Sequence, residues 1–337
     1  MRLEPPTWWF RTHPTLVARA LKPVAQLVDA AAARRWAAAR PFRAAIPVVC
    51  VGNLTVGGAG KTPLAICLAG LLREAGRRPG FLTRGYGGRL KGPHQVDATN
   101  DSARNAGDEA LLLARHAPTI VARNRAEGAK AFANLPIDVI VMDDGLQNSQ
   151  LAKQLSIAVL DAKRLIGNGL VMPAGPLREG LATQLRRTDV LVVLCEPGEP
   201  LPDLPAALRA LRAELVPDPA MAAGLKGRRI VAYAGIGRPS KLFDSLKAIG
   251  ADVVAEQPFP DHHKFRASEA NRLIELAGKL RALLVTTEKD LARMAGEEAL
   301  AELAAASTTL PVAARFVDRD LERIRALIGL MLTRQAR

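Results

Sequence analysis

Hydrophobic residues fall into two kinds of segment along the chain, short β-branched runs and longer runs with helical periodicity. Their alternation predicts an α/β protein built around a mainly parallel sheet. A first series of predicted strands covers residues 47–51, 80–83, 137–142, 156–160 and 189–194. A second series covers residues 229–234, 252–255, 282–286 and 312–316.

A proline-rich stretch at residues 196–218 separates the two series of predicted strands. Its prolines are Pro197, Pro200, Pro202, Pro205 and Pro217. Such a density of prolines is typical of a junction between domains. We therefore predict an N-terminal segment at 1–40, a first α/β domain at 41–205, a smaller α/β domain at 206–317 and a C-terminal helix at 318–337.

The N-terminal segment contains a predicted amphipathic helix at residues 16–31, with apolar residues on one arc and polar residues opposite. The apolar arc consists of Leu16, Val17, Ala20, Leu21, Val24, Leu27, Val28 and Ala31. The polar arc consists of Arg19, Lys22, Gln26 and Asp29. Three aromatic residues precede the helix, namely Trp8, Trp9 and Phe10.

Residues 1–43 carry eight basic and two acidic side chains. A basic amphipathic helix preceded by aromatic residues is typical of a segment that lies in a membrane interface. The alternative is an ordinary helix that packs on its own domain and bends at Pro23. No apolar run approaches the roughly 18 residues of a membrane-spanning helix, and no secretory signal is recognisable.

The whole chain is also basic, with a formal net charge of +14 over 337 residues. This charge predicts an acidic partner, which could be nucleic acid, an anionic membrane or a phosphorylated substrate. Hydrophobic residues make up 49% of the chain, which excludes a disordered protein. Cys50, Cys67 and Cys195 match no disulfide or metal-binding pattern, which indicates a reducing compartment.

A glycine-rich loop follows the first predicted strand, where residues 52–63 read GNLTVGGAGKTP. Its last glycines are Gly57, Gly58 and Gly60. Glycines let backbone N–H groups surround phosphate oxygens, while Lys61 reaches the β- and γ-phosphates and Thr62 offers a hydroxyl to Mg²⁺. Thr55 replaces the first glycine of the usual pattern. The loop is thus a variant, and a glycine-rich turn with an incidental lysine is the alternative.

This loop narrows the predicted fold to a P-loop NTPase-type parallel-sheet domain, with a second, smaller α/β domain and an N-terminal amphipathic helix. Such a loop needs a carboxylate at the end of a neighbouring hydrophobic strand. Asp143 and Asp144 follow the predicted strand at 137–142, where one of them would hold Mg²⁺. Alternatively, the two acids are a helix cap and its neighbour. The pattern favours nucleotide hydrolysis or phosphoryl transfer.

A kinase that phosphorylates an alcohol needs a carboxylate or an imidazole near the attacking hydroxyl. Asp108 opens a predicted helix, where it could also be a simple N-cap. His262 lies in an Asp-His-His run after a predicted strand, which could also be a hydrogen-bonded loop or an adventitious metal site. Together they allow an active site assembled between two domains.

Eight stretches, in the same order, make the sequence similar to the tetraacyldisaccharide 4′-kinases of lipid A synthesis. Besides the phosphate loop they are TRGYG at 83–87, GDE at 107–109, DDGLQ at 143–147, PAGPLRE at 173–179, AGIGRP at 234–239, FPDHH at 259–263 and TEKD at 287–290. The resemblance spans nearly the whole chain. It implies transfer of the γ-phosphoryl group of ATP to the 4′-hydroxyl of a tetraacyldisaccharide 1-phosphate.

The resemblance also implies roles for particular residues. Asp108 and His262 would form a dyad that activates the acceptor hydroxyl. Binding of ATP would involve Gly57, Gly58, Gly60, Lys61, Thr62, Arg125, Gln147 and Arg178. Binding of Mg²⁺ would involve Thr62, Asp143, Asp144 and Glu179, although Arg178 and Glu179 could also be an exposed pair at a helix start.

A lipid substrate with four acyl chains stays in the bilayer, which favours the membrane interpretation of the N-terminal helix. The implied location is the cytoplasmic face of the bacterial inner membrane, with the enzyme bound peripherally to its anionic surface. No obligate protein partner is expected, although a P-loop switch or assembly ATPase that binds protein partners remains an alternative. Nucleic acid is not expected as a partner because the chain has only two Tyr and eight Phe, and they form no stacking platform among basic residues.

Overall fold

The computed structural model describes residues 5–11, 13–58, 60–204 and 208–335. The predicted domain boundary at residues 205 and 206 lies outside the described residues, as do residues 1–4 and 336–337. The described residues form a nine-stranded and a four-stranded sheet. None of their helices is both long enough and apolar enough to cross a bilayer.

The nine-stranded sheet has the order β13-β8-β7-β6-β1-β5-β2-β4-β3. Its strands are β1 (Val48–Asn53), β2 (Pro79–Thr83), β3 (His94–Gln95), β4 (Thr119–Val121), β5 (Val139–Asp143), β6 (Leu155–Asp161), β7 (Val190–Cys195), β8 (Ala210–Pro217) and β13 (Val312–Phe316). All neighbours pair in parallel except β3 with β4 and β13 with β8, which are antiparallel pairs at the two edges.

The four-stranded sheet is entirely parallel, with the order β10-β9-β11-β12. Its strands are β9 (Arg229–Ala234), β10 (Asp252–Pro258), β11 (Leu283–Thr286) and β12 (Ser307–Thr309). We call this sheet with its helices the small-sheet unit, and the nine-stranded sheet with its helices the large-sheet unit. The predicted α/β fold, a mainly parallel sheet with a second, smaller α/β unit, is therefore present.

Helices cover both sheets. Those of the large-sheet unit are α1 (Leu16–Ala37), α2 (Lys61–Glu74), α3 (Ala103–Ala106), α4 (Asp108–Ala114), α5 (Arg125–Ala131), α6 (Leu181–Leu185) and α12 (Arg319–Gln335). Those of the small-sheet unit are α7 (Pro219–Leu225), α8 (Ser240–Ala248), α9 (Ala267–Leu280), α10 (Glu288–Met294) and α11 (Ala301–Ala306). Short 3-10 helices occupy Thr7–Phe10, Phe132–Asn134 and Glu298–Leu300.

Two strands correct the predicted arrangement. The predicted strand at 312–316 belongs to the large sheet, where β13 pairs antiparallel with β8, and not to the second series. The proline-rich stretch at 196–218 contains β8 itself, which pairs with β7. The sequence of β8, ALRAELVP, has the composition of a helix, so tertiary pairing overrides its local preference. The chain thus forms the small sheet first and then adds its last strand, β13, to the large sheet.

The large sheet is buried on both faces, as expected for parallel strands. In β1, Val49 and Val51 belong to a core with α2 and α12, while Val48 and Cys50 face a second core on the other side. A third core surrounds Leu54 and the strands β6 and β7. Because β1, β5 and β6 run in parallel, their carboxyl ends meet at one edge of the sheet, where ligands of such sheets bind.

Helix α1 packs mainly through small residues and leaves most of its large apolar residues exposed, while Leu21 is half-buried against the core around Leu54. Ala18, Ala25 and Ala32 recur every seven residues and are buried against the large-sheet unit. The apolar arc lies next to this stripe, and Leu16 and Leu27 on it are 82% and 72% exposed. The helix therefore does pack on its own domain, through the alanine stripe and the adjoining Leu21 and not through the whole of the predicted apolar arc.

Candidate active site

The glycine-rich loop connects β1 to α2 at the carboxyl edge of the large sheet. Gly60 adopts φ +88°, a left-handed conformation that favours glycine, and a Cβ there would also displace the Leu194 side chain, whose Cδ1 would lie 2.6 Å away. Lys61 and Thr62 then begin α2 and are both buried. Their positions at a helix N-terminus match those of a phosphate-binding loop. The structure therefore places Gly60, Lys61 and Thr62 as the sequence predicts.

Asp143 ends β5 beside this loop. Its Oδ2 lies 3.3 Å from the hydroxyl of Thr62, while its buried Oδ1 has no hydrogen-bond partner. An unpartnered buried carboxylate oxygen beside a threonine hydroxyl fits a Mg²⁺ ion. Across the described part of the chain, no three His, Cys, Asp or Glu side chains gather into a metal site. A Mg²⁺ ion here would therefore rely on phosphate oxygens and water for its other ligands.

Replacing Asp143 by asparagine is expected to stabilise the chain without nucleotide and metal. Burial, reinforced by Glu109, raises the pKa of Asp143 to about 7. Between about pH 4 and pH 7 the unfolded carboxyl is ionised while the folded one still binds its proton, so rising pH destabilises the folded wild type. The stabilisation by Asp143→Asn should grow over this range and level off above it.

Thermal unfolding in a chelator, from about pH 5 to pH 8, measures this effect. The exposed Asp252 provides the control, because Asp252→Asn should leave the pH dependence of the melting temperature close to that of the wild type. A melting-temperature gain that stays constant with pH for Asp143→Asn would contradict the expectation.

Asp144 follows in a left-handed conformation, with φ +52°. Its two carboxylate oxygens accept hydrogen bonds from Arg178 at 2.7 and 3.3 Å. Burial opposes ionisation, but Lys61 and Arg178 hold the pKa of Asp144 well below its usual range. Arg178 also donates to Gln147 Oε1 at 3.1 Å, and Gln147 in turn donates to the carbonyl of Asn53 in β1. Asp144, Gln147 and Arg178 are thus brought together beside the loop.

Arg125 begins α5 and is buried. Its guanidinium donates to the carbonyl of Ala122, while its Nε has no hydrogen-bond partner. Burial lowers the pKa of Arg125 to about 10, although Asp144 acts in the opposite direction. An arginine with unused donors near this carboxylate suits an anionic group bound from outside.

Glu179 has other partners than the sequence predicts. Its buried carboxylate pairs with Arg35 at 2.9 Å and with Arg187, and it accepts a hydrogen bond from Trp36 Nε1. The indole of Trp36 also stacks on Arg187, whose Cζ lies 3.9 Å from the ring centre. Two cations and an indole satisfy both oxygens, so this carboxylate anchors the end of α1. The expectation that Glu179 holds Mg²⁺ is not met in this arrangement.

Asp108 and His262 come from different units and meet. Asp108 begins α4 after Gly107, whereas His262 lies in the loop after β10. Nδ1 of His262 is 3.3 Å from Oδ2 of Asp108, and both side chains are largely buried. Burial opposes ionisation of Asp108, but His262, Arg293 and Lys289 hold its pKa well below its usual range. The structure therefore brings the two predicted residues together.

Several charged residues for which the sequence predicts no role connect the two units. Lys289 Nζ lies 2.7 Å from Glu109 Oε1, and the buried Asp161 at the end of β6 pairs with Arg238 and Lys241. Gly237 packs against the phosphate loop, since a Cβ there would be 3.4 Å from the backbone nitrogen of Gly58. The small-sheet unit therefore lies directly on the glycine-rich loop.

The chain matches the sequence profile of the tetraacyldisaccharide-1-P 4′-kinases, LpxK, over residues 17–329. It belongs to this family. A tetraacyldisaccharide 4′-kinase from Methylobacterium sp. (strain 4-46) is 50% identical over 339 residues, with 99% of each chain covered. Another from Rhodospirillum centenum is 47% identical, with 96% of each chain covered.

The fold has a counterpart in LpxK from Aquifex aeolicus, whose "apo" form was crystallised in complex with ATP. The two structures superpose with a TM-score of 0.72 at 26% sequence identity, over 94% of this chain and 99% of that chain. The family and the fold class that the sequence predicts are thus confirmed.

Proposed function

We propose that this chain transfers the γ-phosphoryl group of ATP to the 4′-hydroxyl of a tetraacyldisaccharide 1-phosphate. The main support is the contact between Asp108 and His262 next to a phosphate loop. A switch protein needs the loop but has no use for a carboxylate–imidazole pair. A kinase needs the pair, because the attacking alcohol must lose its proton as it bonds to phosphorus.

The remaining residues would bind and orient ATP. Lys61 and the backbone of the loop would contact the β- and γ-phosphates. Thr62 and Asp143 would hold Mg²⁺, which neutralises the phosphate charge when bound. Arg178, held by Asp144, would contribute positive charge to phosphate binding, together with Arg125 at the start of α5.

The proposed activity is tested by incubating the protein with γ-labelled ATP, Mg²⁺ and a tetraacyldisaccharide 1-phosphate in detergent. Thin-layer separation should show label in a lipid that carries one more phosphate than the substrate. A matched acceptor without its 4′-hydroxyl should receive no label. Folded protein that binds ATP yet labels no lipid would rule out the proposal.

We also propose that the chain binds peripherally to the cytoplasmic face of an anionic inner membrane through α1. The exposed arc includes Leu16, Val17, Val24, Leu27 and Val28, which form a continuous apolar strip along the helix. The polar arc of the helix carries the exposed Arg19 and Lys22, whose positive charges suit anionic headgroups.

Contacts within α1 and just before it fix this strip relative to the active site. Asp29 Oδ1 accepts from the backbone nitrogen of Gly180, two residues beyond Arg178. Before the helix, Trp9 Nε1 donates to the carbonyl of Pro173 at 3.1 Å. The segment 173–180 therefore touches α1 on one side and, through Arg178, Asp144 on the other. A membrane bound along α1 would present its lipids at a defined height above the site.

Leu27→Glu is expected to weaken binding to vesicles of anionic phospholipid by about tenfold or more, since burying a leucine contributes about 1.5–3 kcal/mol. Gln26→Glu is the matched control, because it adds the same charge on the neighbouring polar arc. Both positions are exposed, so neither substitution should lower the melting temperature. Co-sedimentation with vesicles measures binding, and equal effects of the two substitutions would contradict the assignment of the face.

A further inference from the structure

Arg293, on α10, donates hydrogen bonds to both units at once. Its Nε donates to Asp108 Oδ2 at 2.7 Å. Its Nη1 donates to the carbonyl of Gly235 at 2.7 Å and to Asp290 Oδ1 at 2.6 Å. The side chain is only 9% exposed, so these contacts form away from solvent. Because a guanidinium is a rigid planar fork, it fixes the relative positions of its acceptors.

The carbonyl of Gly235 connects Arg293 to His262. This oxygen also accepts the backbone N–H of His262 at 2.9 Å, and His262 is held in a left-handed conformation with φ +57°. On the other side, the N–H of Gly235 lies 3.1 Å from both oxygens of Asp290. The Gly235 residue is thus held by Arg293 at its carbonyl and by Asp290 at its nitrogen, and the His262 backbone is fixed to it.

We propose that Arg293 is a positioning residue for phosphoryl transfer, which aligns the Asp108 carboxylate with the His262 imidazole across the boundary between the two units. This inference rests on the proposed function, because Arg293 acts only through that pair. One guanidinium reaches Asp108 directly and His262 through the Gly235 carbonyl. Its loss would leave the two side chains free to move relative to each other, in a reaction that is sensitive to small displacements.

The charge of Arg293 has a second effect on the pair. Several charged or titratable groups face Asp108 or Arg293, namely Glu109, Asp261, His262, Lys289 and Asp290. Removing the positive charge of Arg293 makes protonation of the pair easier, whichever member accepts the proton from the substrate. Activity that requires the unprotonated pair should then be lost at a higher pH than in the wild type.

Arg293→Gln and Arg293→Lys test the proposal in the full-length protein with ATP, Mg²⁺ and the lipid acceptor. Arg293→Gln should lower kcat about tenfold or more with little change in the KM for ATP. It should also move the acidic limb of the kcat–pH profile up by about one unit or more. Arg293→Lys keeps the charge without the fork, so it should lower kcat but leave the acidic limb in place. Arg325→Gln is the control, because Arg325 pairs with Glu74 on the exposed surface.

The outcomes separate this inference from the proposed function. If the wild type transfers no phosphoryl group to the lipid, the proposed function fails. If the wild type is active and Arg293→Gln leaves kcat and the acidic limb unchanged, the positioning role is wrong. A parallel loss of kcat and melting temperature with an unmoved acidic limb would also overturn it, as a purely structural effect. If Arg293→Gln does not fold, Arg293→Lys becomes the deciding variant. A wild-type kcat in Arg293→Lys would refute the positioning role, because lysine lacks the planar guanidinium.

Discussion

Lys61→Ala is expected to reduce kcat/KM for phosphoryl transfer on the order of a hundredfold to a thousandfold, as loss of a buried group that stabilises transition-state charge does. Lys61 is buried at the start of α2, and its charge acts on both Asp144 and Glu109. Its removal therefore takes away a phosphate contact and leaves the carboxylates of Asp144 and Glu109 with less positive charge near them. Steady-state kinetics with labelled ATP measure the loss.

The control for this experiment is Lys247→Ala. Lys247 forms an ion pair with Glu256 on the exposed surface of the small-sheet unit, and such pairs contribute little to stability. This variant should keep the wild-type kcat/KM. A Lys61→Ala protein that retained both its ATP affinity and its turnover would refute the phosphate-binding role of the loop.

His262→Ala is expected to lower kcat by about a hundredfold to ten-thousandfold while ATP still binds, because the pair contributes proton transfer and not nucleotide affinity. The imidazole contacts Asp108 and lies near the ring of Tyr86. Its loss removes one member of the pair and leaves the phosphate loop intact. Lipid phosphorylation and equilibrium binding of ATP should be measured on the same preparation.

His263→Gln provides a matched control one residue further along the chain. His263 stacks on Phe259 and pairs with Glu269, away from Asp108. Its replacement by glutamine retains a polar side chain at that position and should leave kcat nearly unchanged. If His262→Ala kept its lipid phosphorylation, the pair would have no role in the reaction. If the wild type hydrolysed ATP but phosphorylated no lipid, the switch alternative would be favoured.

The phosphate loop and most strands could be predicted because their signals are local. The run of apolar residues before Gly52 and the Gly60-Lys61-Thr62 sequence encode a strand, a tight turn and a helix start within about fifteen residues of chain. Asp143 could be placed beside them because the carboxyl ends of parallel strands share an edge of the sheet. Its single unpartnered oxygen, however, is visible only in the structure.

Tertiary structure alone decided three other features. The strand β8 has a helix-like composition and forms because β7 and β13 pair with it. The carboxylate of Glu179 is held by Arg35, Trp36 and Arg187, whereas its neighbour Arg178 contacts Asp144. In α1, the packed face is the alanine stripe with Leu21, and most of the apolar arc is exposed. A hydrophobic pattern records which residues avoid water but not whether protein or lipid covers them.

For the pair of Asp108 and His262, too, part of the arrangement follows from the sequence and part only from the tertiary structure. The sequence alone determined that a carboxylate and an imidazole were available in Asp108 and His262, because their residue types and neighbouring motifs are local features. Only the tertiary structure joined them at 3.3 Å and placed Arg293 between their two units. Arg293 lies far from Asp108 along the chain and belongs to no recognisable motif, so its role depends on how the units pack. Long-range contacts of this kind arise from packing, and no local stretch of sequence encodes them.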